Sequence, residues 1–269
     1  MARLAALQMT SGPDVPANLA VAEHLLEEAA ACGANLAVLP ENFAFMGLAD
    51  ADKRRIAEPE GDGPIQSFMA HTARRLGIWV VGGTMPLQLP SQTRVAAACL
   101  VYDASGALAA RYDKVHLFDV SIPGKRENYR ESANISPGKS VKIVDTPIGR
   151  VGLSVCYDIR FPELYRQLSA AGAQILAVPS AFTGPTGRAH WEPLLRARAI
   201  ENLCYVVAPA QSGFHESGRE TYGDSMIVDY WGRVVRRLPR GQGCIVCDLD
   251  LERQAQVRSS FPALEHRVL

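Results

Sequence analysis

Three residues with reactive side chains each follow an apolar run in this 269-residue chain: Glu41 in LAVLPENF, Lys114 in ARYDKVHLF and Cys156 in VGLSVCYD. Together their types can make and break a thioester. A carboxylate takes the thiol proton, the thiolate attacks a carbonyl carbon, and an ammonium holds the oxyanion. Taken singly, each has an ordinary role as a buried strand cysteine, a helix-entry carboxylate or a solvated loop lysine.

Cys156 closes the strand VGLSV, and Tyr157, Asp158, Ile159 and Arg160 separate it from Phe161-Pro162-Glu163, which opens a helix. Such a strand-to-helix elbow exposes the sulfur and can aim the next amide, that of Tyr157, at the same space as an oxyanion donor. A free thiol of pKa ~8.5 is only a few per cent thiolate at neutral pH, so it needs a base or a cation beside it. Glu41 and Lys114 are the proposed neighbours. Glu41 follows Pro40 at the end of a wholly apolar strand, where an unpaired carboxylate is costly to desolvate.

The elements that must position these residues emerge when the chain is compared with itself. GANLAVLPENF (33–43) aligns with GAQILAVPSAF (172–182), IWVVGG (78–83) with CYVVAP (204–209), and VYDASGALAARY (101–112) with IVDYWGRVVRRL (227–238). RLAALQM (3–9) corresponds to RVGLSVC (150–156), so two related halves follow, each reading strand, helix, strand, helix, then strands joined by a tight turn. Glu41 aligns with Ser180, so the acid is no shared structural need.

Apolar spacing of three and four predicts helices at 17–32, 64–76, 161–171 and 190–202. Continuously apolar strands such as LAVL, VGLSV and YVVAP predict sheets covered on both faces. DASGA and DYWGR read as hairpin turns. The simplest fold class is α/β, a two-sheet α-β-β-α sandwich with pseudo-twofold related halves, in one domain over 1–269. Periodicity alone also admits a single doubly wound sheet. Between the halves, 113–146 has no counterpart and is rich in Pro, Gly, Ser and charge, as active-site loops are. It contains Lys114 and a second carboxylate, Glu131.

Lys plus Arg and Asp plus Glu both total 28, and 48% of residues are hydrophobic. That balance offers no basic excess for nucleic acid or an anionic membrane, and no run reaches the ~18 apolar residues of a membrane span. The expected partner is a small molecule, and the expected compartment the cytoplasm. Six cysteines lack the dense spacing of a secreted scaffold. The pair in GCIVCDLD falls in a strand, where its two side chains point to opposite faces rather than to one metal or disulfide. Ser154 is not in a G-x-S-x-G context and is expected to point into the sheet. His116 and His190 suggest a Cys-His pair less well than Glu41 and Lys114 explain the site. Arg196, Arg198, Glu192 and Glu201 are expected on a solvated or dimer-facing helix surface.

The motifs E-N-F after a strand, Y-D-K-V-H-L-F-D and C-Y-D-I-R-F-P-E-L resemble the nitrilase superfamily of carbon–nitrogen hydrolases. RESANISPG (130–138), PSAFTGPTGRAHWEPLLRARAIEN (179–202), YVVAPAQSG (205–213) and YGDSMIVDYWG (222–232) extend the resemblance over essentially the whole chain. TGRAHWEPLLRARAIE and FPALEHR look most like the Nit branch of ω-amidases, especially those acting on deaminated glutathione.

The resemblance implies Glu41 as general base, Lys114 as oxyanion-stabilising lysine, Cys156 as nucleophile and Glu131 as the glutamate that positions the lysine. It implies the α-β-β-α fold, a homodimer or higher homo-oligomer, an amide substrate and water, and no metal or organic cofactor. Arg160, four residues after the nucleophile, suits a substrate carboxylate, with a pair to Glu163 or Asp158 as its alternative. Thr183 is placed to line the pocket. The expected reaction is hydrolysis of the carboxamide of a small keto-acid or peptide-like substrate, most like deaminated glutathione. The alternatives are α-ketoglutaramate, an N-carbamoyl amino acid, an aliphatic amide, a nitrile, or a binding module that retains the fold.

Overall fold

The computed structural model describes residues 2–121 and 128–268. The first half runs β1 (Ala2–Gln8), α1 (Val15–Ala31), β2 (Leu36–Val38), α2 (Pro64–Leu76), β3 (Trp79–Val81), β4 (Met85–Leu87), β5 (Ala96–Tyr102) and β6 (Leu108–Asp113). The hairpin strands β7 (Asp119–Ser121) and β8 (Asn128–Arg130) belong to the insertion, of which 122–127 lie outside the described residues.

The second half runs β9 (Ile143–Thr146), β10 (Gly149–Leu153), α3 (Pro162–Ala170), β11 (Ile175–Ala177), α4 (Gly184–Asn202) and β12 (Tyr205–Ala208). It continues with β13 (Ser212–Phe214), β14 (Glu220–Tyr222), β15 (Ser225–Val228), β16 (Val234–Leu238), β17 (Gly243–Leu249) and α5 (Leu251–Ser260).

One sheet is ordered β17-β1-β2-β3-β5-β4 with β6 also on β5; the other is ordered β16-β15-β12-β11-β10-β9. In each, three parallel strands (β1-β2-β3; β10-β11-β12) are flanked by antiparallel ones. This matches the sequence repeat strand for strand. The exchange at the edges breaks it: β17, at the end of the chain, pairs with β1 from Ala2↔Leu249 to Gln8↔Gly243, whereas β9 directly precedes its partner β10.

The apolar runs are continuous because both faces of each strand are covered. Along β1, Leu4 and Ala6 join the core between the sheets, while Ala5 and Leu7 pack outward with Leu25, Leu26 and Ala29 of α1 and Met69 of α2. Val151, Leu153 and Ile175 of the second sheet share the inner core, and Leu164, Leu168, Trp191 and Leu195 bring α3 and α4 to its outer side. The layers are therefore α-β-β-α. Cys244 and Cys247 fall in the outer and inner clusters respectively, as period-two alternation requires.

Helix ends follow local chemistry. Asp14 caps α1 by accepting from the Ala17 N–H at 3.1 Å, and Gly77 ends α2 at φ 65°. Two helices differ from expectation. α4 starts at Gly184, six residues earlier, because Pro185 in the first turn loses no helical bond and Gly187 N donates to Thr183 O at 2.8 Å. α5 was not anticipated; only Gln254 in it is buried, so it shows almost no apolar period, and Gln254 Nε2 ties it to the carbonyls of Gln174 and Leu203.

Candidate active site

Each reactive residue is delivered by a strand end. β2 runs into Pro40-Glu41, and the Gln211 side chain holds the Glu41 carbonyl at 3.1 Å. Asn42, at φ 58°, donates its N–H to Thr84 Oγ1 at 2.8 Å. Gly83 makes this turn possible, since a Cβ there would run into the Pro40 carbonyl. Lys114 follows β6 and is fastened on both sides, its N–H to Ala97 O at 3.0 Å and its carbonyl to Gly138 N at 2.8 Å. Glu131 opens a short 3-10 turn in the insertion, and its Oε2 accepts the Phe118 N–H at 2.7 Å.

Cys156 lies at φ 48° at the start of a one-turn 3-10 helix, Cys156–Arg160, with its N–H on Pro179 O at 3.0 Å. A left-handed conformation at a residue with a Cβ costs about 1–2 kcal/mol, so the surroundings must hold the elbow. Asp158 does this. It is fully buried and accepts from Val155 N (2.8 Å), Tyr112 Oη (2.7 Å) and His116 N (3.0 Å), with His116 Nδ1 at 2.7 Å. The nucleophile's turn is thus locked to β6 and to the segment carrying Lys114.

The four side chains meet in one cavity. Lys114 Nζ lies 2.8 Å from Glu41 Oε1 and 2.9 Å from Glu131 Oε2, and Lys114 and Glu41 are 2% and 4% exposed. Glu41 and Cys156 line the cavity together. Burial pushes the Glu41 carboxyl up, but the Lys114 ammonium beside it outweighs burial and holds it below the ordinary value. Burial pushes Lys114 down, and the two carboxylates reverse this to well above the ordinary value. Burial and the Glu41 charge push the Cys156 thiol up, against the pull of Lys114 and the Ala181 amide. At rest the site therefore holds a neutral thiol, a carboxylate base and a fixed ammonium.

The other buried cysteines sharpen the contrast. Burial pushes Cys99, Cys204 and Cys247 up to about 12, and none of the three lines the cavity. Asp248 and Arg236 act on Cys247, and Arg258 on Cys204, without forming such a pair.

Arg160 and Thr183 also line the cavity. The alternative pairing of Arg160 with Glu163 or Asp158 is not formed: its guanidinium lies over the rings of Tyr157 and Phe182 at 5.7 and 5.4 Å, with Nη1 3.3 Å from His190 Nδ1. His116 serves Asp158 and stacks on Phe161 at 3.7 Å instead of serving the thiol. Ser154 points into the sheet, donating to Ala177 O at 2.7 Å. Arg198 departs from the expected solvated surface. It is buried, braces the elbow through Nε to Ile159 O at 2.8 Å, and pairs with Glu201 at 2.7 Å.

Sequence reasoning missed Lys53, Phe118, Tyr129, Phe182, Thr186 and Arg219, all on the cavity wall. Arg219 lies in a turn far from every motif centred on a reactive residue, and no local spacing marks it. Asp158 stood inside the nucleophile motif, and a carboxylate two residues after a strand-end cysteine was the available signal.

The family profile of carbon-nitrogen hydrolases matches residues 3–259. The chain is 45% identical over 268 residues to the deaminated glutathione amidase of Homo sapiens, covering 98% of this chain and 81% of that one. Among solved structures, the C. elegans NitFhit protein superposes with a TM-score of 0.92 at 41% identity, over 100% of this chain, which spans 66% of that longer one. Saccharomyces cerevisiae Nit3, a member of branch 10 of the nitrilase superfamily, gives 0.90 at 31% identity over 100% and 97% of the two chains. With the sandwich fold and a thiol, carboxylate and ammonium gathered in one cavity, these likenesses agree, and the chain belongs to the carbon–nitrogen hydrolase family of the nitrilase superfamily.

Proposed function

We propose that this chain hydrolyses an amide of a small α-keto acid through a thioester on Cys156, with deaminated glutathione, the compound for which its relatives are named, as preferred substrate. The observation that carries the reading is the Lys114 ammonium clamped between Glu41 and Glu131 beside the Cys156 thiol. Glu41 accepts the thiol proton as sulfur attacks the amide carbon. Because the thiol is pushed up and the carboxyl held down, that proton moves with the attack and not ahead of it.

Lys114 and the Tyr157 amide hold the oxyanion. The first bond donated within the elbow turn comes from Asp158 N to Val155 O, so Tyr157 stands ahead of it with its N–H available to the cavity. Protonated Glu41 then gives its proton to the departing nitrogen, and the C–N bond breaks. A primary carboxamide releases ammonia; deaminated glutathione releases the amine of its cysteinyl-glycine part. Water, deprotonated by Glu41, attacks the thioester and frees the acid and the thiol. Glu131 keeps Lys114 in place, Arg160 takes the keto-acid carboxylate, and Thr183 shapes the wall beside it.

The chain works as one hydrolase domain over 1–269 and as a homodimer or higher homo-oligomer. Exposed Ile200, Trp231 and Phe261 support the latter, Trp231 and Phe261 lying ring to ring at 5.7 Å. Six free thiols fit a reducing compartment, the cytoplasm. Among the described residues no helix is long and apolar enough to cross a membrane.

The test offers deaminated glutathione, α-ketoglutaramate, an N-carbamoyl amino acid and a nitrile to the purified protein and to Cys156→Ala, reading keto acid, free amine and ammonia. The expected result is the highest kcat/KM on deaminated glutathione and a loss of about 10⁴-fold or more in Cys156→Ala. Preference for α-ketoglutaramate moves the substrate and keeps the chemistry. Turnover that survives Cys156→Ala sinks the mechanism.

A further inference from the structure

The cavity continues beyond the reacting groups. It shares Asn42, Asp50, Lys53, Tyr129 and Arg219 with a second hollow walled by Met46–Ala49 and Ser217. Glu41, Lys114, Glu131, Cys156 and Arg160 line only the first. The five shared residues therefore form the junction between the two hollows.

That junction carries two cations and one acid. The carboxylates of Glu41 and Glu131 are committed to Lys114, and among the described residues neither Lys53 nor Arg219 makes an ion pair. Arg219 is already fixed: Nη2 donates to Ala181 O at 2.6 Å and the guanidinium lies 5.3 Å from the centre of the Tyr129 ring. Its Nε is buried without an acceptor. Ala181 lines the same cavity as Cys156, so the carbonyl that orients Arg219 belongs to the wall of the reacting site. Lys53 is close enough for its charge to act on Glu41. A pre-placed guanidinium on the cavity wall, beside a second cation, matches a carboxylate.

We propose that Lys53 and Arg219 form a distal subsite for a carboxylate on the amine side of the scissile amide, separate from Arg160 on the acyl side. The enzyme thereby selects amides whose departing amine is itself an amino acid or short peptide with a free C-terminus. The assignment of sides rests on the function proposed above; the existence of the subsite does not.

The test uses a pair of compounds, an α-ketoglutaryl-linked dipeptide with a free C-terminal carboxylate and the same compound as its C-terminal amide. The readout is the ratio of their kcat/KM values in the full-length protein, Arg219→Gln, Lys53→Met and the double variant. The expected wild-type ratio favours the acid by about 10- to 100-fold, falling toward unity in the double variant and partly in each single one. Arg219→Lys retains part of the preference. A wild-type ratio near one, or variants that lower both compounds equally, overturns the proposal.

Binding of the same pair to Cys156→Ala, measured by calorimetry, separates the two readings. If neither compound is turned over by wild type but the acid still binds at least tenfold more tightly than the amide, with loss of that difference on Arg219→Gln, the subsite stands and the amidase assignment falls. Equal binding of the two compounds removes the subsite whatever the activity.

Discussion

Strands β2 and β11 hold the same place in the two sheets, and each runs into a proline, yet Pro40 leads to Glu41 and Pro179 to Ser180. Glu41 meets Lys114 in the cavity, whereas the Ser180 hydroxyl folds back on the Val178 carbonyl at 3.0 Å and is fully buried. The neighbouring strands differ likewise. β10 continues to Cys156 at its left-handed elbow; β1 continues to Met9, packed in the outer core. β6 continues to the insertion and its Lys114, which has no counterpart in the second half; β16 continues to the exposed Arg240. The frame is built twice and the reactive set once. A partial second set would leave a buried charge without its partner, which is worse than none, and Ser180 and Met9 carry no charge.

The sharpest way to break this comparison is to remove the ammonium. Lys114→Met leaves the buried Glu41 carboxylate and the partly buried Glu131 carboxylate without their shared cation. It should abolish turnover by about 10³-fold or more and cost about 3–5 kcal/mol of stability in urea unfolding, while Arg240→Met changes stability by less than about 0.5 kcal/mol. Comparable effects at both positions would refute the claim that Lys114 acts through its buried pairs with Glu41 and Glu131.

The next effect is pH dependent. The folded state lowers the Glu41 pKa, so its contribution is present above the unfolded value of about 4.3 and is lost as pH falls through the folded value. The folded state raises that of Lys114, so its contribution is present below about 10.4 and is lost as pH rises through the folded value. The urea midpoint of wild type should therefore exceed that of Glu41→Gln between about pH 5 and 10, and the gap should close in acid. The gap between wild type and Ser180→Ala should stay flat with pH, since no titrating group is removed.

The smallest effect concerns the brace. Tyr112→Phe removes one hydrogen bond to the buried Asp158 carboxylate and should cost about 1.5–3 kcal/mol. kcat should fall by less than about tenfold, because Val155 N and His116 still hold the turn. An unchanged stability would show that Asp158 needs only its local bonds, and the elbow would then be set by its own half.

The repeat was legible because alternation on strands buried on both faces writes an unbroken apolar run, and because the offsets of 33–43 against 172–182 and 78–83 against 204–209 preserve order. Helix α5 was illegible because it docks through Gln254 hydrogen bonds instead of an apolar stripe. The first turn of α4 was hidden by Gly184-Pro185, a pair that reads as a loop until the extended Thr183 before it is seen. Lys53 and Arg219 were invisible for a different reason: they reach the cavity from a short 3-10 helix and a hairpin loop whose local sequence gives no hint of what lies opposite.

By itself the sequence determined which residue types end which strands, since covalent order, apolar period and the elbow's composition are local properties. It therefore supplied Glu41, Lys114, Glu131 and Cys156 as a set, and the two halves that carry them. Tertiary structure alone decided that β17 closes the first sheet from the far end of the chain and that Asp158 binds the nucleophile's turn to the lysine's segment. It also decided that Arg160 and Arg219 face one cavity from different walls. Those outcomes depend on contacts between residues tens to hundreds of positions apart, and only the packing of the layers fixes which of them meet.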